Sequence, residues 1–521
     1  MHPGWSVRRH CCCWIPGRGG PAPAAKPAPP ALPVLFLALL VLLPGFGAGQ
    51  WMPRAFTCPP RAHVSPCLCL ERSKGLDVTC EKVDRTDRVR NALSGLADAQ
   101  QTVLYLRLRH DRLERFPPRL LDRLEILHLL VHHSNVSEIH LDAFRGVEEK
   151  LESLDLSQNA LEEVPTEALQ ALTALVTLNL SYNRIQAVQA WAFRGLVSLL
   201  RLSLFGNRIV SLDPMAFQGV GGNLTRLNLG GNVLSQVPSE SLQSISVLQQ
   251  LLLHENRISE LSPDRFPLVG SALDILNLAD NRIVALPEGA FSGLGTLVSL
   301  DLERNGLAFI HPAAFVGVHT TMEWLKLGHN SLSAVPSEAL QNLTALRELD
   351  LRDNNISYVH GDAFDGYGAS LKFVYLQKNR VQSIEPGAFD RLHSLEWLYL
   401  HSNEISTLHY SVFRPVLDTL SILDVHDNPF HCDCDLSWLR LLLKGQGGNI
   451  VVNQPRETRC GSPDEFSKLA VLDIPSGRMH CGADSAVSTG PAGLVTVMLR
   501  TLSTAVALLG LALPLGLAGV S

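Results

Sequence analysis

The chain has 521 residues with 44 Lys and Arg against 50 Asp and Glu, which gives a formal net charge of −6. This mildly acidic balance offers none of the basic surplus that nucleic-acid-binding proteins use to contact phosphates. Two sets of four cysteines flank a long stretch without cysteine. Length alone would favour about three or four globular domains, but an internal repeat indicates one elongated body instead.

The first predicted element is a secretory signal peptide over residues 1–49. Residues 31–49 form an apolar run that ends in small residues, and the segment before it carries four basic residues and no acidic one. This order of basic, apolar and small residues is typical of a signal peptide, and we expect cleavage after Gly49. The alternative is an uncleaved signal anchor with a long basic leader.

Residues 50–102 are predicted to form a cysteine-rich cap at the N-terminal end. In a secreted chain, an even set of cysteines indicates disulfides rather than zinc ligands or redox thiols. The cysteines of this cap are Cys58, Cys67, Cys69 and Cys80.

A repeat with a period of 24 or 25 residues fills residues 103–430. Each unit follows the pattern L-x-x-L-x-L-x-x-N-x-L, in which three apolar residues precede an asparagine. Two further units upstream replace the asparagine by Asp111 and Ser134, which gives about fourteen units. The asparagines are Asn159, Asn183, Asn207, Asn232, Asn256, Asn281, Asn305, Asn330, Asn354, Asn379, Asn403 and Asn428.

This pattern predicts an α/β repeat solenoid with a parallel β-sheet on its concave face. The leucines of each short strand point inward, and each asparagine side chain binds backbone groups of the turn that follows. We therefore expect the asparagines to be structural. Apolar residues about ten positions after each asparagine are expected to fill the convex side: Phe193, Phe217, Phe266, Phe291, Phe315, Phe364, Phe389 and Phe413, with Leu169, Leu242 and Leu340 between them.

A second cysteine-rich cap is predicted over residues 431–482. An open solenoid exposes an apolar cross-section at each end, and caps of this kind cover it. We expect Trp438 to pack in the core of this cap. Its cysteines are Cys432, Cys434, Cys460 and Cys481.

The last segment is predicted to be a glycosylphosphatidylinositol attachment signal. Residues 483–493 form a spacer with small residues that can accept the lipid, namely Ser485, or else Asp484 or Ser488. The hydrophobic tail at residues 494–521 would then be removed.

A single transmembrane helix is the alternative for this tail. Arg500 interrupts the tail, so that its apolar part extends only from Leu502 to Val520. Such a helix would barely span a bilayer, and Pro514 lies inside it.

From about Thr57 to Gly482, both caps included, the chain resembles extracellular leucine-rich-repeat glycoproteins, which fold as horseshoes. The segment NPFHCDCDLSWLRLLL is similar to their C-terminal cap, and the anchor signal resembles that of connectin and of the Nogo receptor. The string CPPRAHVSPCLC resembles the N-terminal cap of the arthropod luciferase non-catalytic-subunit type. The resemblance implies the pairings Cys58–Cys69, Cys67–Cys80, Cys432–Cys460 and Cys434–Cys481.

Five Asn-x-Ser/Thr sequons are typical of a secreted glycoprotein. Asn179 lies on a predicted strand and faces the concave side, so a glycan there would cover the first half of that face. The other half would stay free. The sequons begin at Asn135, Asn179, Asn223, Asn342 and Asn355.

The concave face carries the candidate partner-binding surface, because alternate residues of each strand face out. These positions are mostly small or polar in the first half, whereas the second half has aromatic and charged residues of the types found in binding hot spots. The alternative is that the aromatic residues only stabilise the sheet through cross-strand contacts. The predicted site residues are Trp324, Lys326, Arg347, Arg352, Phe373, Tyr375, Trp397, Tyr399 and His401.

The sequence predicts no catalytic, cofactor or metal site. It contains no P-loop, no G-x-S-x-G, no H-E-x-x-H and no EF-hand loop. His401 and His426 occupy equivalent positions in adjacent repeats, about 5 Å apart. Among 19 histidines such neighbours arise by chance, so the pair does not predict a metal ion.

These observations favour a non-enzymatic protein-binding module for adhesion or recognition. We expect it on the extracellular face of the plasma membrane, lipid-anchored, with a protein ligand on the cell surface or in the extracellular matrix. Two alternatives stay open: a secreted non-catalytic accessory subunit of an enzyme complex, and an innate pattern-recognition receptor.

Overall fold

The computed structural model describes residues 56–479, apart from residues 84, 110–112, 264–265, 267–271 and 447. The chain divides into two compact units, Met1–Arg54 and Ala55–Ser521, and the described residues all lie in the second. The predicted signal peptide, lipid-attachment residues and hydrophobic tail therefore lie outside the described residues.

Within the described residues, one sheet of 17 strands runs through the second unit. Its strands pair in parallel and in register, so that Leu178, Leu202 and Leu227 lie side by side. Only Leu68–Arg72 is antiparallel, against Gly75–Glu81. The parallel strands are Gly75–Glu81, Thr102–Arg109, Glu125–His132, Ser153–Asp155, Thr177–Asn179, Arg201–Ser203, Arg226–Asn228, Gln250–Leu252, Ile275–Asn277, Ser299–Asp301, Trp324–Lys326, Glu348–Asp350, Phe373–Tyr375, Trp397–Tyr399, Ile422–Asp424 and Val451–Val452.

This arrangement confirms the predicted parallel-sheet solenoid of about fourteen turns. Along each three-residue strand the central residue is buried, and on most strands the two flanking residues are half-buried on the other face. The alternation follows from the two-residue period of a strand, which turns successive side chains to opposite faces. We call the outward face of this sheet the concave face.

The repeated asparagines bind backbone, as expected, but toward the preceding repeat rather than the turn that follows. Asn232 Nδ2 donates to the carbonyl oxygens of Leu204 at 3.0 Å and Leu229 at 2.9 Å. Its Oδ1 accepts the backbone N–H of Ile209 at 3.0 Å. Leu204 and Ile209 belong to the preceding repeat, so each asparagine joins two neighbouring units.

Ser134 takes the place of an asparagine in its repeat and is buried. Its Oγ donates to the carbonyl oxygen of His132 at 3.1 Å, while its backbone N–H donates to Asn159 Oδ1. The other predicted substitute, Asp111, lies outside the described residues. A hydroxyl group therefore retains part of the backbone pairing of an asparagine.

Short helices and two-stranded sheets fill the side opposite the main sheet. The predicted phenylalanine row is buried there, and Phe193 stacks on Phe217 with ring centroids 5.8 Å apart. The helices are Arg61–Val64, Thr86–Asp98, Thr166–Leu169, Ser239–Leu242, Ser337–Leu340, Tyr410–Phe413 and Ser437–Leu443, and the 3₁₀ helices are Gly368–Ser370, Cys434–Leu436, Val471–Asp473 and Ser476–Arg478. The short strand pairs are Arg115–Phe116 with Glu138–Ile139, Ala187–Val188 with Ser211–Leu212, Ala285–Leu286 with Phe309–Ile310, Tyr358–Val359 with Ser383–Ile384, and Phe430–His431 with Cys460–Ser462.

None of the helices in the described part of the chain has the length and apolar character needed to cross a bilayer.

Disulfides and apolar side chains cover both ends of the solenoid. The structure contains the bonds Cys58–Cys69, Cys67–Cys80 and Cys432–Cys460, the pairings that the resemblance implies. Cys434 is also disulfide-bonded, and its expected partner Cys481 lies outside the described residues. Trp438 is 5% exposed and donates from Nε1 to the carbonyl oxygen of Leu408 at 2.8 Å, which closes the last repeat.

Candidate functional site

The strands place four of the predicted site residues together on the concave face. Phe373 and Tyr375 flank Val374, and Trp397 and Tyr399 occupy the same positions on the next strand. The ring centroids of Phe373 and Trp397 are 4.6 Å apart, and those of Tyr375 and Tyr399 are 5.2 Å apart. We call these four residues the aromatic patch.

The rings of the aromatic patch are half-buried, whereas the sequence alone suggests exposed side chains. Each ring covers part of its neighbour because parallel strands lie about 4.8 Å apart. The Tyr375 and Tyr399 rings are nearly parallel, at 18°, while Phe373 and Trp397 are tilted at 54°. The contacts hold the rings in fixed positions with one surface of the patch open to a partner.

Trp324 lies apart from the aromatic patch. The strand Glu348–Asp350 runs between it and Phe373, and Trp324 pairs in register with Glu348. Lys326 is the neighbour of Asp350 in the same register. These two predicted site residues therefore lie on the same face of the sheet as the aromatic patch but do not belong to the patch.

The outward position predicted for Arg347 belongs to Glu348 instead. Arg347 precedes the strand, and its Nη1 lies 3.6 Å from Glu323 Oε2. The sequence assignment was one residue too early, because the buried strand residue is Leu349 and the outward residues beside it are Glu348 and Asp350. Burial raises the pKa of Glu348, and the charge of nearby Lys326 opposes this shift.

Arg352 organises a charged cluster beside the aromatic patch. Its Nη2 binds Glu303 two repeats away, and its Nε lies 3.4 Å from Asp350 Oδ2. Gly328 lies between the two repeats, and a Cβ there would meet Arg352 Cγ at 3.0 Å. The absence of a side chain at this position lets Arg352 and Glu303 meet.

The pKa values of the two carboxylates in this cluster, Asp350 and Glu303, shift in opposite directions. Burial raises the pKa of Asp350. Burial also acts to raise the pKa of Glu303, but its hydrogen bond with Arg352 and the guanidinium charge outweigh burial, so that this pKa is lowered. Burial, with the negative charge of Glu348, raises the pKa of Tyr375 to about 12. The Tyr375 hydroxyl is therefore a neutral hydrogen-bond donor for any partner at physiological pH.

A depression of about 360 Å³ lies next to this cluster. Gln377 is 8% exposed, and its Oε1 has no hydrogen-bond partner. His329 Nδ1 lies 2.6 Å from Asp353 Oδ2, which fixes one wall. The lining contains donors and no carboxylate: Arg304, His329, Arg352, Gln377, Lys378 and His401.

His401 and His426 stack with ring centroids 4.5 Å apart, close to the separation expected from the repeat. His426 Nδ1 lies 2.5 Å from Asp424 Oδ1. Burial lowers the pKa of His401, and the charge of Asp424 opposes this shift. No group of three or more His, Cys, Asp or Glu within the described ranges is placed to hold a metal ion.

The first half of the concave face also has aromatic residues, which the sequence analysis missed. Tyr105 stacks on His128 at 4.7 Å, and the Phe205 and His254 rings are 5.3 Å apart. Phe205 and His254 lie two repeats apart and meet over Gly230, where a Cβ would be 2.6 Å from the His254 ring. The sequence signal that could have identified Phe205 and His254 is a ring-bearing residue two places after the strand of its repeat.

The sequons lie at the surface. Asn135, Asn223, Asn342 and Asn355 are exposed. Asn179 is half-buried at the end of strand Thr177–Asn179, and its Oδ1 accepts the backbone N–H of Ser181 at 3.1 Å. Its position in the strand corresponds to that of Lys326 in the second half.

Sequence comparison identifies a family model described as "Leucine rich repeat". It matches residues 123–185, 149–209, 201–258, 271–321, 320–370 and 369–430, which together form more than half of the chain.

Two curated relatives show local similarity. Toll-like receptor 9 of Homo sapiens is 36% identical over 63 residues, and vasorin of Mus musculus is 32% identical over 85 residues. These segments are 12% and 16% of this chain but only 6% and 12% of the relatives. The chain therefore matches a small part of each relative's length.

Among solved structures, the fold is similar to that in the Toll–Spatzle complex of Drosophila. The TM-score is 0.58 at 20% identity, over 74% of this chain and 55% of the other. At this identity the similarity concerns the fold. None of these matches indicates a catalytic family.

Proposed function

The chain belongs to the family of leucine-rich-repeat proteins, and from that premise we propose that it is a non-enzymatic recognition module whose concave face binds a protein partner. The observation that carries this proposal is the aromatic patch. Half-buried Trp and Tyr rings beside a charged cluster combine the residue types that dominate protein-binding hot spots.

The packing of the patch supports this proposal over a role in sheet stability alone. Cross-strand contacts already fix the rings, so that a partner would immobilise few side chains, each of which costs about 0.5–1.5 kcal/mol. Tyr375 supplies a hydroxyl donor, and the ion pairs of Arg352 place oriented charges along one side of the apolar surface. An apolar centre with a polar rim is the usual anatomy of an interface.

A similar fold occurs in a complex with a protein ligand, that of Toll with Spatzle. This supports a protein as the class of partner for the present chain.

We extend the proposal to adhesion or recognition at the cell surface, with Ser485, Asp484 or Ser488 as the site of a lipid anchor. Release of the protein from intact cells by phosphatidylinositol-specific phospholipase tests the anchor, and full retention would exclude it.

A new glycan on the concave face tests the binding site. Lys326→Asn with Gly328→Ser creates Asn-Leu-Ser in the second half, the same tripeptide that Asn179 begins in the first. The glycosylated variant, displayed on cells as the full chain, is expected to lose the cell-surface or secreted proteins that the wild type captures from an array. A reference variant, Lys326→Asn with Gly328→Ala, adds the same Cβ beside Arg352 but creates no sequon, and so separates the effect of the glycan from a displacement of Arg352.

The control is Asp155→Asn, a single change that creates the same tripeptide in the first half. Asp155 Oδ1 accepts the N–H of Ser157 at 2.8 Å, as Asn179 does with Ser181, so that the fold tolerates an amide there. If the first-half glycan abolishes capture and the second-half glycan does not, the aromatic patch is not the binding site.

A further inference from the structure

Four arginines form a ladder beside the concave face, outside the aromatic patch. Each directly follows a repeated asparagine, and each donates its backbone N–H to the equivalent carbonyl group of the preceding repeat at 2.8 or 2.9 Å. The identical backbone bonds show that the four residues occupy one structural position. The ladder consists of Arg184, Arg208, Arg257 and Arg282.

The described part of the chain forms no ion pair with the arginines of the ladder. All four arginines are exposed, and none forms an ion pair with a residue in the described ranges. Some arginines elsewhere are ion-paired: Arg194 lies 2.7 Å from Glu167, and Arg304 lies 3.5 Å from Asp280. In a chain with a net charge of −6, the ladder is a local concentration of unpaired positive charge.

The repeat fixes the spacing of these charges. Neighbouring repeats lie about 5 Å apart, so the four arginines extend over about 20 Å. Val233 occupies the one position between them that lacks an arginine, and its N–H makes the same backbone bond at 3.0 Å. A straight row of cations on a rigid backbone suits a linear polymer with regularly spaced anions.

The surroundings of the ladder favour a sulfated polysaccharide as that polymer. Single-stranded nucleic acids need aromatic platforms on which bases stack. Two positions beyond the arginines the side chains are Gln186, Val210, Ser259 and Val284, none of which is aromatic. The aromatic and imidazole rings before the arginines, Tyr182, Phe205 and His254, are in contact with one another, with centroids 5.2 and 5.3 Å apart. The disulfides of the caps also indicate an oxidising, extracellular compartment, where sulfated polysaccharides are abundant.

We propose that the arginine ladder binds a linear sulfated polysaccharide, independently of the protein partner of the concave face. The guanidinium groups contact sulfate groups along the chain, and the exposed aliphatic residues Val210 and Val284 lie against the sugar rings. The binding adds a second, salt-sensitive attachment to the extracellular matrix.

The test uses the full chain and a heparin-derived chain as the probe. Replacing all four ladder arginines by glutamine is expected to weaken binding at least tenfold at physiological salt. The plot of log affinity against log salt concentration should become shallower by about 3, because each contact contributes about 0.7–0.9 by counterion release. The melting temperature should not change, since the four side chains are exposed.

The control removes four ion-paired arginines with the same loss of charge: Arg115, Arg194, Arg391 and Arg478. It is expected to bind heparin like the wild type. Equal effects of the two fourfold variants would overturn the proposal, as would unchanged binding by the ladder variant. Tighter binding of single-stranded DNA of equal charge would show that the polysaccharide is the wrong polymer.

Discussion

Asn232→Ala is expected to destabilise the protein by about 3 kcal/mol, because this buried amide joins two repeats through four hydrogen bonds. Its Nδ2 donates to the carbonyl oxygens of Leu204, Leu229 and Gly230 at 2.9 to 3.0 Å, and its Oδ1 accepts from Ile209 at 3.0 Å. The side chain is 7% exposed, so water does not replace these partners.

The four hydrogen bonds of Asn232 do not contribute equally. The Ile209 N–H loses its acceptor, and a buried unpaired donor costs about 1–3 kcal/mol. The three carbonyl groups each keep another donor: Asn207 Nδ2 for Leu204, Asn256 Nδ2 for Leu229, and the Gly206 N–H for Gly230. The loss of the hydrogen bond at each carbonyl group therefore lowers the unfolding free energy by about 0.5 kcal/mol, the lower limit for one net hydrogen bond.

Asn228→Ala is the matched control for Asn232→Ala. Asn228 lies on the strand of the same repeat, Arg226–Asn228, and faces out, and its Oδ1 accepts the Gly230 N–H at 2.9 Å. Its loss should cost about 1 kcal/mol, the lower limit for one unpaired N–H, because no carbonyl group loses a partner as well. Urea denaturation followed by circular dichroism gives both free energies of unfolding. If the two variants lie within about 0.5 kcal/mol of each other, the asparagines do not bind the repeats together as the hydrogen bonds indicate.

Three further changes test other parts of the structure. Burial lowers the pKa of His254, so the folded state favours the neutral ring. The contribution of this preference to the unfolding free energy is full above the unfolded pKa of about 6.5, and it is lost as the pH falls through the lower folded pKa. His254→Gln should therefore flatten the decline of unfolding free energy between about pH 7.5 and 5.5, and an unchanged slope would contradict this. Gly230→Ala should push the His254 ring into solvent and raise its pKa, measured by NMR titration; an unaltered titration would show that the glycine gap does not hold the ring. Cys434→Ser should lower the unfolding free energy by about 2–5 kcal/mol and reduce secretion, and normal secretion with an unchanged melting temperature would refute this role of the cap.

The asparagine period was sufficient to predict the fold. A strict repeat of 24 or 25 residues leaves each unit stable only against its neighbours, so that one solenoid is the consistent architecture. The alternation of the strands also predicted correctly that Trp397 and Tyr399 face the same side as Phe373 and Tyr375.

The details of the candidate site depended on neighbours that a single repeat does not reveal. The half-burial of the aromatic patch comes from ring contacts between adjacent strands. Arg352 and Glu303 lie two repeats apart and form their ion pair across Gly328, because a glycine places no side chain between them. Arg347 was misplaced by one position, because Glu348 is the residue that stands directly before the buried Leu349 and faces out.

The central claim is that the aromatic patch binds the partner, and the most direct test is the affinity of the double variant Trp397→Ala, Tyr399→Ala. Binding to a partner captured by the wild type should weaken at least about tenfold, or about 1.4 kcal/mol, while circular dichroism shows a folded protein. The control Ser203→Ala, Asn228→Ala, in the first half, should bind normally. Intact binding by the aromatic variant together with loss in the control would place the site at the other end of the solenoid.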